Sequence, residues 1–266
     1  MPGLIKRLCK DLGYELSFRR IRPPGSHKRP VGQMEDLLHD LAAKGVNPSR
    51  ILDVGAHKGE WAQMADKAFP GGRFFLVEPL QEMRDELERF CSTHPGSKYI
   101  AAAAGSRPGE ITITLPRALA SASCRFPDSE SLQAAGLQRS VPVTTLDLLI
   151  AEGNVDPPDF VKIDVEGYEL EVLRGGESLF RTAQVLIIES SLFCQEGMRP
   201  TFQAVLQFMH EREFVLYDFA GFWRRPSDGA LTLVDGVFTR KSGLLRANLG
   251  TDEALYALGM KMHESR

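Results

Sequence analysis

The feature that most constrains the fold is the alternation of short apolar runs with amphipathic segments. Apolar residues recur every three to four positions in EWAQMADKAF, LQEMRDELERFCSTH and EGYELEVLRGGESLF, which is typical of helices. Short apolar strands that alternate with helices favour a parallel sheet covered on both faces. The sequence therefore predicts a doubly wound, mostly parallel α/β sheet. Its strands are ILDVG (51–55), RFFLVEP (73–79), KYIAAAA (98–104), DFVKIDVEG (159–167) and VLIIESS (185–191).

The two ends of the chain differ from this central region. Residues 1–32 are rich in Lys and Arg and end in RPPGSHKRP, so we expect a basic, helical N-terminal arm or lid. From Met34, MEDLLHDLAAKG has helical spacing and predicts the first helix of a domain over residues 33–245. Residues 246–266 are expected to form a C-terminal helical tail.

Two stretches interrupt or extend the alternation. In residues 110–145, Ile111, Ile113 and Leu115 alternate as in a strand, and the Ser/Ala-rich ALASASCRFPDSES follows. An insertion or loop over the active edge of the sheet is expected there. After a helix near 201–212, EFVLYDF and VDGVFTR flank GFWRRPSDGAL, which predicts a hairpin.

Charge and cysteine spacing exclude several classes of protein. The net charge of −3 and the pI of about 6.1 favour neither nucleic acid nor an anionic membrane as a partner. No segment approaches the roughly 18 uninterrupted apolar residues of a membrane span, and no secretory signal core is present. The cysteines are too widely spaced for a zinc site, which favours a reducing, cytoplasmic location. They are Cys9, Cys91, Cys124 and Cys194.

The loop after the first strand predicts a cofactor site. Glycines in DVGAHKGEW would let a ligand approach the backbone at the carboxyl edge of the sheet. Gly55 and Gly59 are four residues apart, unlike the G-x-G-x-x-G of dinucleotide folds. Asp53 at the strand end would repel a pyrophosphate but suit the ammonium and sulfonium of S-adenosylmethionine.

A second acidic residue follows the next strand. Glu78, in Glu78-Pro79, stands where a carboxylate accepts hydrogen bonds from both hydroxyls of an adenosine ribose. The alternative is that Asp53 and Glu78 merely cap the helices that follow them.

Several motifs resemble one known family. DVGAHKGEW, FFLVEPLQEM, AAAAGSRPGEITI, VKIDVEGYELEVLRGG, LIIESS and LVDGVFTR are similar to segments of FkbM-type methyltransferases between about Arg50 and Arg240. The resemblance implies the class I methyltransferase (Rossmann-like) fold with a seven-stranded sheet. It also implies S-adenosylmethionine as cofactor and methyl transfer to a hydroxyl of a small-molecule acceptor, a sugar or a secondary metabolite.

The resemblance, with the strand ends above, also assigns cofactor residues. The glycine loop would face the methionine part, Glu78 the ribose, and the chain after the third strand the adenine. The expected cofactor residues are Asp53, Gly55, Ala56, His57, Gly59, Trp61, Glu78, Pro79, Ala102, Ala103, Ser123 and Asp164.

Methyl transfer to an alcohol needs a group that removes the hydroxyl proton. Asp164, Glu166 and Glu189 stand at the ends of the fourth and fifth strands, and His57 is a further candidate. Asp164 and Glu189 could act as a general base or hold a divalent cation. We favour the metal-free base, because a hard cation is usually coordinated by more than two carboxylates. The alternatives are that Asp164 caps a helix and that Glu189 forms a buried ion pair.

Other functions of the same fold stay open. They are an N-methyltransferase, an RNA methyltransferase and a non-catalytic nucleotide-binding module. Many RNA methyltransferases carry a Pro-Pro-aromatic motif after the fourth strand, where this chain has KIDVEG, so nucleic acid is not favoured. The aromatic residues of the last hairpin could wall an acceptor pocket or simply cover the sheet edge. The oligomeric state is open, a homo-oligomer included.

Overall fold

The computed structural model describes residues 29–115, 128–193 and 201–246. The strands are β1 (Arg50–Val54), β2 (Arg73–Val77), β3 (Lys98–Ile100), β4 (Ala103–Ala104), β5 (Gly109–Thr114), β6 (Gln138–Thr144), β7 (Phe160–Ile163), β8 (Val185–Ser191), β9 (Phe214–Arg224) and β10 (Leu231–Arg240). The helices are α1 (Met34–Ala43), α2 (Glu60–Ala68), α3 (Arg84–Thr93), α4 (Glu130–Ala134), α5 (Leu146–Ala151), α6 (Glu169–Arg174), α7 (Leu179–Thr182) and α8 (Phe202–His210). Short 3₁₀ helices span Gln81–Met83 and Leu244–Arg246.

Seven strands form the central sheet in the order β3-β2-β1-β7-β8-β10-β9. Only β10 runs against its neighbours β8 and β9, and the other pairs are parallel. The strand order reverses between β1 and β7. In open α/β sheets, ligands bind outside the carboxyl ends of the strands at such a switch point. The predicted class I methyltransferase topology, doubly wound and mostly parallel, is confirmed.

Helices cover both faces of the central sheet. On one face, α1, α2 and α3 pack through residues such as Leu38, Ala65 and Leu87, all fully buried. On the other face, α5 to α8 pack through residues such as Val172 and Val205. The apolar strands are buried on both sides as a result, which explains their continuous apolar runs.

Two elements predicted as continuous are divided in the structure. The predicted strand 98–104 is wrong, because the chain turns at Ala102, whose N–H bonds the Ile100 carbonyl at 3.0 Å. β4 then joins β5 and β6 in a separate three-stranded sheet. The predicted third helix divides into α6 and α7 after Gly175. A Cβ on Gly175 would lie 1.9 Å from the Gly105 carbonyl oxygen, so this close approach requires glycine.

The predicted helix near 201–212 and the final hairpin are confirmed. β9 and β10 pair antiparallel, and the Arg225 N–H closes the turn on the Ala230 carbonyl at 2.8 Å. Among the described helices, none is both long enough and apolar enough to cross a bilayer. Almost all of the predicted basic arm, the C-terminal tail and Ser123 lie outside the described residues.

Candidate active site

An open cavity lies at the switch point of the sheet, with about 670 Å³ of empty volume. Its walls come from the ends of β1, β2 and β7 and from the second sheet. Predicted site residues on its lining are Gly55, His57, Glu78, Pro79, Ala102, Ala103, Asp164 and Glu166.

Glu78 is fixed at the cavity wall by the backbone of two loops. Its Oε2 accepts a hydrogen bond from the His57 N–H, and its Oε1 accepts one from the Leu80 N–H, both at 2.8 Å. Burial raises the pKa of Glu78, while these two hydrogen bonds oppose the rise. The carboxylate is therefore pre-oriented toward the cavity.

The glycine loop bends through three residues with positive φ. Gly55, His57 and Gly59 have φ of 83°, 46° and 77°. At Gly55, a Cβ would lie 1.8 Å from the Asp164 carbonyl oxygen. The absence of a side chain at Gly55 thus lets β1 approach the chain after β7, besides opening the cavity wall.

Asp53 lies behind the cavity lining. It is 1% exposed, and its Oδ2 has no hydrogen-bond donor among the described residues. Burial raises its pKa to about 7, against the opposing effect of Lys162. An unpaired, buried carboxylate oxygen fits a cationic ligand group at this position.

Three carboxylates converge at the carboxyl end of β7. Asp164 and Glu166 follow β7 and line the cavity, whereas Glu189 lies within β8 and is not part of the cavity lining. Asp164, Glu166 and Glu189 each offer an oxygen atom within 4.8 Å of the others. Glu166 reaches this cluster from a left-handed turn, with φ of 57°. Burial and the charge of Asp164 raise the pKa of Glu189. We call these three residues the acidic cluster.

Lys162 was not predicted as a site residue, although a basic partner for Glu189 was considered. Its Nζ donates to Asp164 Oδ2 at 2.9 Å and lies 3.4 Å from Asp235 Oδ1. Burial lowers the pKa of Lys162, but Asp164 and Asp235 raise it more, so the pKa is raised overall. A lysine inside an apolar central strand is itself a sequence signal, because buried lysines need carboxylate partners.

Other residues of the site were not predicted as site residues, although an insertion over the active edge was expected in residues 110–145. Glu169, 1% exposed, accepts the Gly167 N–H at 2.8 Å and supports the turn that carries Glu166. Tyr168, Ile111 and Ile113 line the cavity. Part of the expected insertion therefore does lie over the active edge, as one strand of the second sheet.

Some predicted site residues lie away from the cavity lining. Trp61 packs in the core, with its ring centroid 5.9 Å from that of Phe160. Gly59 precedes α2 as its N-cap, and Ala56 is 4% exposed in the same core. These three residues therefore support the glycine loop from the side of the core and not from the side of the cavity.

Comparisons with known proteins give one curated relative. The chain is 26% identical over 158 residues to the hexuronic acid methyltransferase AglP of Haloferax volcanii. The match covers 58% of this chain and 61% of AglP, so the chain spans less than two thirds of that relative.

Solved methyltransferase structures are similar to this chain at low sequence identity. The magnesium protoporphyrin IX methyltransferase ChlM of Synechocystis PCC 6803, with bound SAM, is 9% identical, with 78% of this chain and 77% of ChlM covered and a TM-score of 0.44. An rRNA methylase from Streptococcus thermophilus is also 9% identical, with 80% and 99% covered and a TM-score of 0.45.

A family model decides the assignment. The methyltransferase FkbM domain matches residues 53–216, which is more than half of the 266 residues. The match includes the glycine loop, Glu78 and the acidic cluster. The chain belongs to the FkbM methyltransferase family.

Proposed function

We propose that the protein is an S-adenosylmethionine-dependent O-methyltransferase that acts on a hydroxyl of a small, sugar-like molecule. The observation that carries the proposal is the arrangement of two acidic positions on one cavity. Glu78 stands pre-oriented on one wall. From the acidic cluster, Asp164 and Glu166 line the same cavity, and Glu189 on β8 offers an oxygen atom within 4.8 Å of theirs.

The cofactor would be held by residues on the Glu78 side. Glu78 would accept hydrogen bonds from the ribose hydroxyls, because its carboxylate faces the cavity and its backbone bonds fix it. Ala102 and Ala103, also on the lining, would leave room for the flat adenine. The Oδ2 of Asp53, which has no hydrogen-bond donor in the described part of the chain, would attract the ammonium of the methionine part.

The acidic cluster would handle the acceptor. S-Adenosylmethionine supplies an electrophilic methyl group when bound. Asp164 would orient the acceptor hydroxyl, and Glu189 would take its proton, since a raised pKa brings a carboxylate closer to the basicity that this step needs. Glu166 lines the cavity and would bind a neighbouring hydroxyl.

Two observations support a hydroxylated small molecule as acceptor. Carboxylates clustered in one cleft are good acceptors for several hydroxyl groups at once. The curated relative is named as a hexuronic acid methyltransferase. The same negative charge would repel the phosphates of RNA, which disfavours that alternative.

Two measurements test the proposed function. Calorimetry should detect S-adenosylmethionine binding with one site per chain. Transfer of a labelled methyl group should then be followed to a panel of free sugars and uronic acids, with amine analogues for comparison. Lack of cofactor binding would contradict the proposal. Methylation of amines alone would show that the protein is an N-methyltransferase and not an O-methyltransferase.

Cofactor binding should depend on pH through Asp53. Because burial raises its pKa to about 7, Asp53 is ionised above that pH and neutral below it. If only the ionised form binds the ammonium, affinity should fall about tenfold from about pH 7.5 to about pH 6. Calorimetry at both pH values measures this ratio. In Asp53→Asn the ratio of the affinities at the two pH values should be close to one. A ratio near one in the wild type would show that Asp53 does not bind the cofactor ammonium.

Turnover should not require a divalent cation. We expect EDTA to leave the rate unchanged, because Lys162 already supplies a positive charge to the acidic cluster. The assay uses any acceptor that the panel identifies. Loss of activity with EDTA and its return with Mg²⁺ would show instead that a metal activates the acceptor hydroxyl.

A further inference from the structure

A buried lysine stands among the carboxylates of the candidate site. Lys162 lies on β7, at the centre of the sheet, and 4% of its side chain is exposed. Its Nζ donates to Asp164 Oδ2 at 2.9 Å and lies 3.4 Å from Asp235 Oδ1. An ammonium is costly to bury unless carboxylates compensate it, so the charge of Lys162 is part of this site.

The register of the sheet directs further carboxylates toward the same ammonium. Asp53 on β1 is the register partner of Lys162, and Glu189 on β8 is the partner of Asp235 on β10. Register partners on neighbouring strands point to the same face of a sheet. Lys162 is therefore surrounded by carboxylates from the adjacent strands β1 and β8, from β10 beyond β8, and from the turn after its own strand.

The strand β9 makes room for this arrangement. Gly221 is the register partner of Asp235, and a Cβ on Gly221 would lie 2.0 Å from Asp235 Oδ2. A side chain at Gly221 would displace the Asp235 carboxylate from Lys162. Asp53 on β1 and Asp235 on β10 thus approach Lys162 from opposite sides of β7.

We propose that Lys162 is the resident cation of the acidic cluster, which orients the Asp164 carboxylate toward the acceptor and takes the place of a divalent metal ion. The inference rests on the proposed function, because these carboxylates are the ones that would receive the acceptor. A metal ion bound to Asp164 would lie within a few ångströms of the ammonium and would be repelled by it. Lys162 does not line the cavity, so it is a positioning residue.

Manganese binding tests this inference without any acceptor. Free Mn²⁺ is measured by electron paramagnetic resonance during titration of the wild type, Lys162→Met, Asp164→Asn and the double variant Lys162→Met/Asp164→Asn. We expect the wild type to remain unsaturated below about 1 mM Mn²⁺. Lys162→Met should bind at least about tenfold more tightly, because the repelling charge is gone. The double variant should lose that gain.

Arg50→Met is the matched control. Arg50 pairs with Asp159 at 2.9 Å near the amino ends of β1 and β7, so this variant also removes a cation from a buried carboxylate, but far from the cavity. Its Mn²⁺ binding should equal that of the wild type.

Two results would overturn the inference: tight Mn²⁺ binding by the wild type that Asp164→Asn abolishes, or a folded Lys162→Met that gains no affinity. If Lys162→Met does not fold, the wild type and Asp164→Asn titrations decide alone. Calorimetry with S-adenosylmethionine on the same wild-type protein tests the proposed function separately, since it does not depend on Mn²⁺ binding.

Discussion

Asp164→Asn and Glu189→Gln should each lower kcat by about 10²–10⁴-fold, the usual cost of losing a proton-transfer group or its orienting partner. Both substitutions keep the size of the side chain but remove its charge. Asp164 loses its charged bond with Lys162, and Glu189 loses the ability to accept a proton. Affinity for S-adenosylmethionine should survive, because Glu78 stands on another wall of the cavity. Single-turnover kinetics and calorimetry on the same preparations separate the two effects.

The pH dependence of the wild-type rate gives a further check. A base must be ionised to act, and burial with the charge of Asp164 raises the pKa of Glu189. The rate should therefore rise with pH through a pKa above the roughly 4 of a free carboxyl group. In Glu189→Gln, this rise should disappear from the residual rate.

Asp159→Asn is the control for general destabilisation. Asp159 precedes β7 at its other end, where it accepts hydrogen bonds from Ser49 and Arg50. This variant should lose stability but keep kcat at permissive temperature. Full turnover in both Asp164→Asn and Glu189→Gln would show that neither residue is the general base. His57 would then be the next candidate.

Glu78→Ala should weaken S-adenosylmethionine binding by about 1.5–3 kcal/mol, which is about 10–150-fold in Kd. The loss has two sources. The ribose hydroxyls lose their charged acceptor, and the His57 and Leu80 N–H groups lose the oxygens that fix both loops. Calorimetry measures the affinity, and circular dichroism checks that the fold is preserved.

Glu88→Ala is a matched control for this loss of charge. Glu88 lies on α3, is exposed and pairs only with the exposed Arg84 among the ion pairs described. Its removal should leave cofactor affinity within experimental error, because exposed ion pairs contribute little. Wild-type affinity in Glu78→Ala would exclude Glu78 from the cofactor site.

The sequence alone determined the class of fold and the edge where the site lies. Continuous apolar runs identify strands buried on both faces, and helical spacing identifies the layers that cover them. Asp53, Glu78 and Asp164 could be placed at one edge because the carboxyl ends of parallel strands meet there. The motif resemblance supplied the family, which the domain match confirms.

Contacts between distant segments decided what the sequence did not show. Gly175 ends α6 because Gly105, 70 positions earlier, packs against it. Ile111 and Ile113 reach the cavity because β5 belongs to a second sheet. Neither contact can be recognised from a local sequence pattern. Hydrophobic periodicity shows whether a segment forms a helix or a strand and which of its faces is buried, but not which other segment packs against that face.

The chemistry of the acidic cluster depends on the tertiary structure in the same way. Sequence spacing predicted that Asp164, Glu166 and Glu189 would lie at the same strand ends, but it did not show the left-handed turn through which Glu166 joins the other two. The register between β1, β7, β8 and β10 places Lys162 among these carboxylates. Local sequence therefore determined which groups carry charge, whereas strand register determined which charges meet, because electrostatic energies depend on distances between segments far apart in the chain.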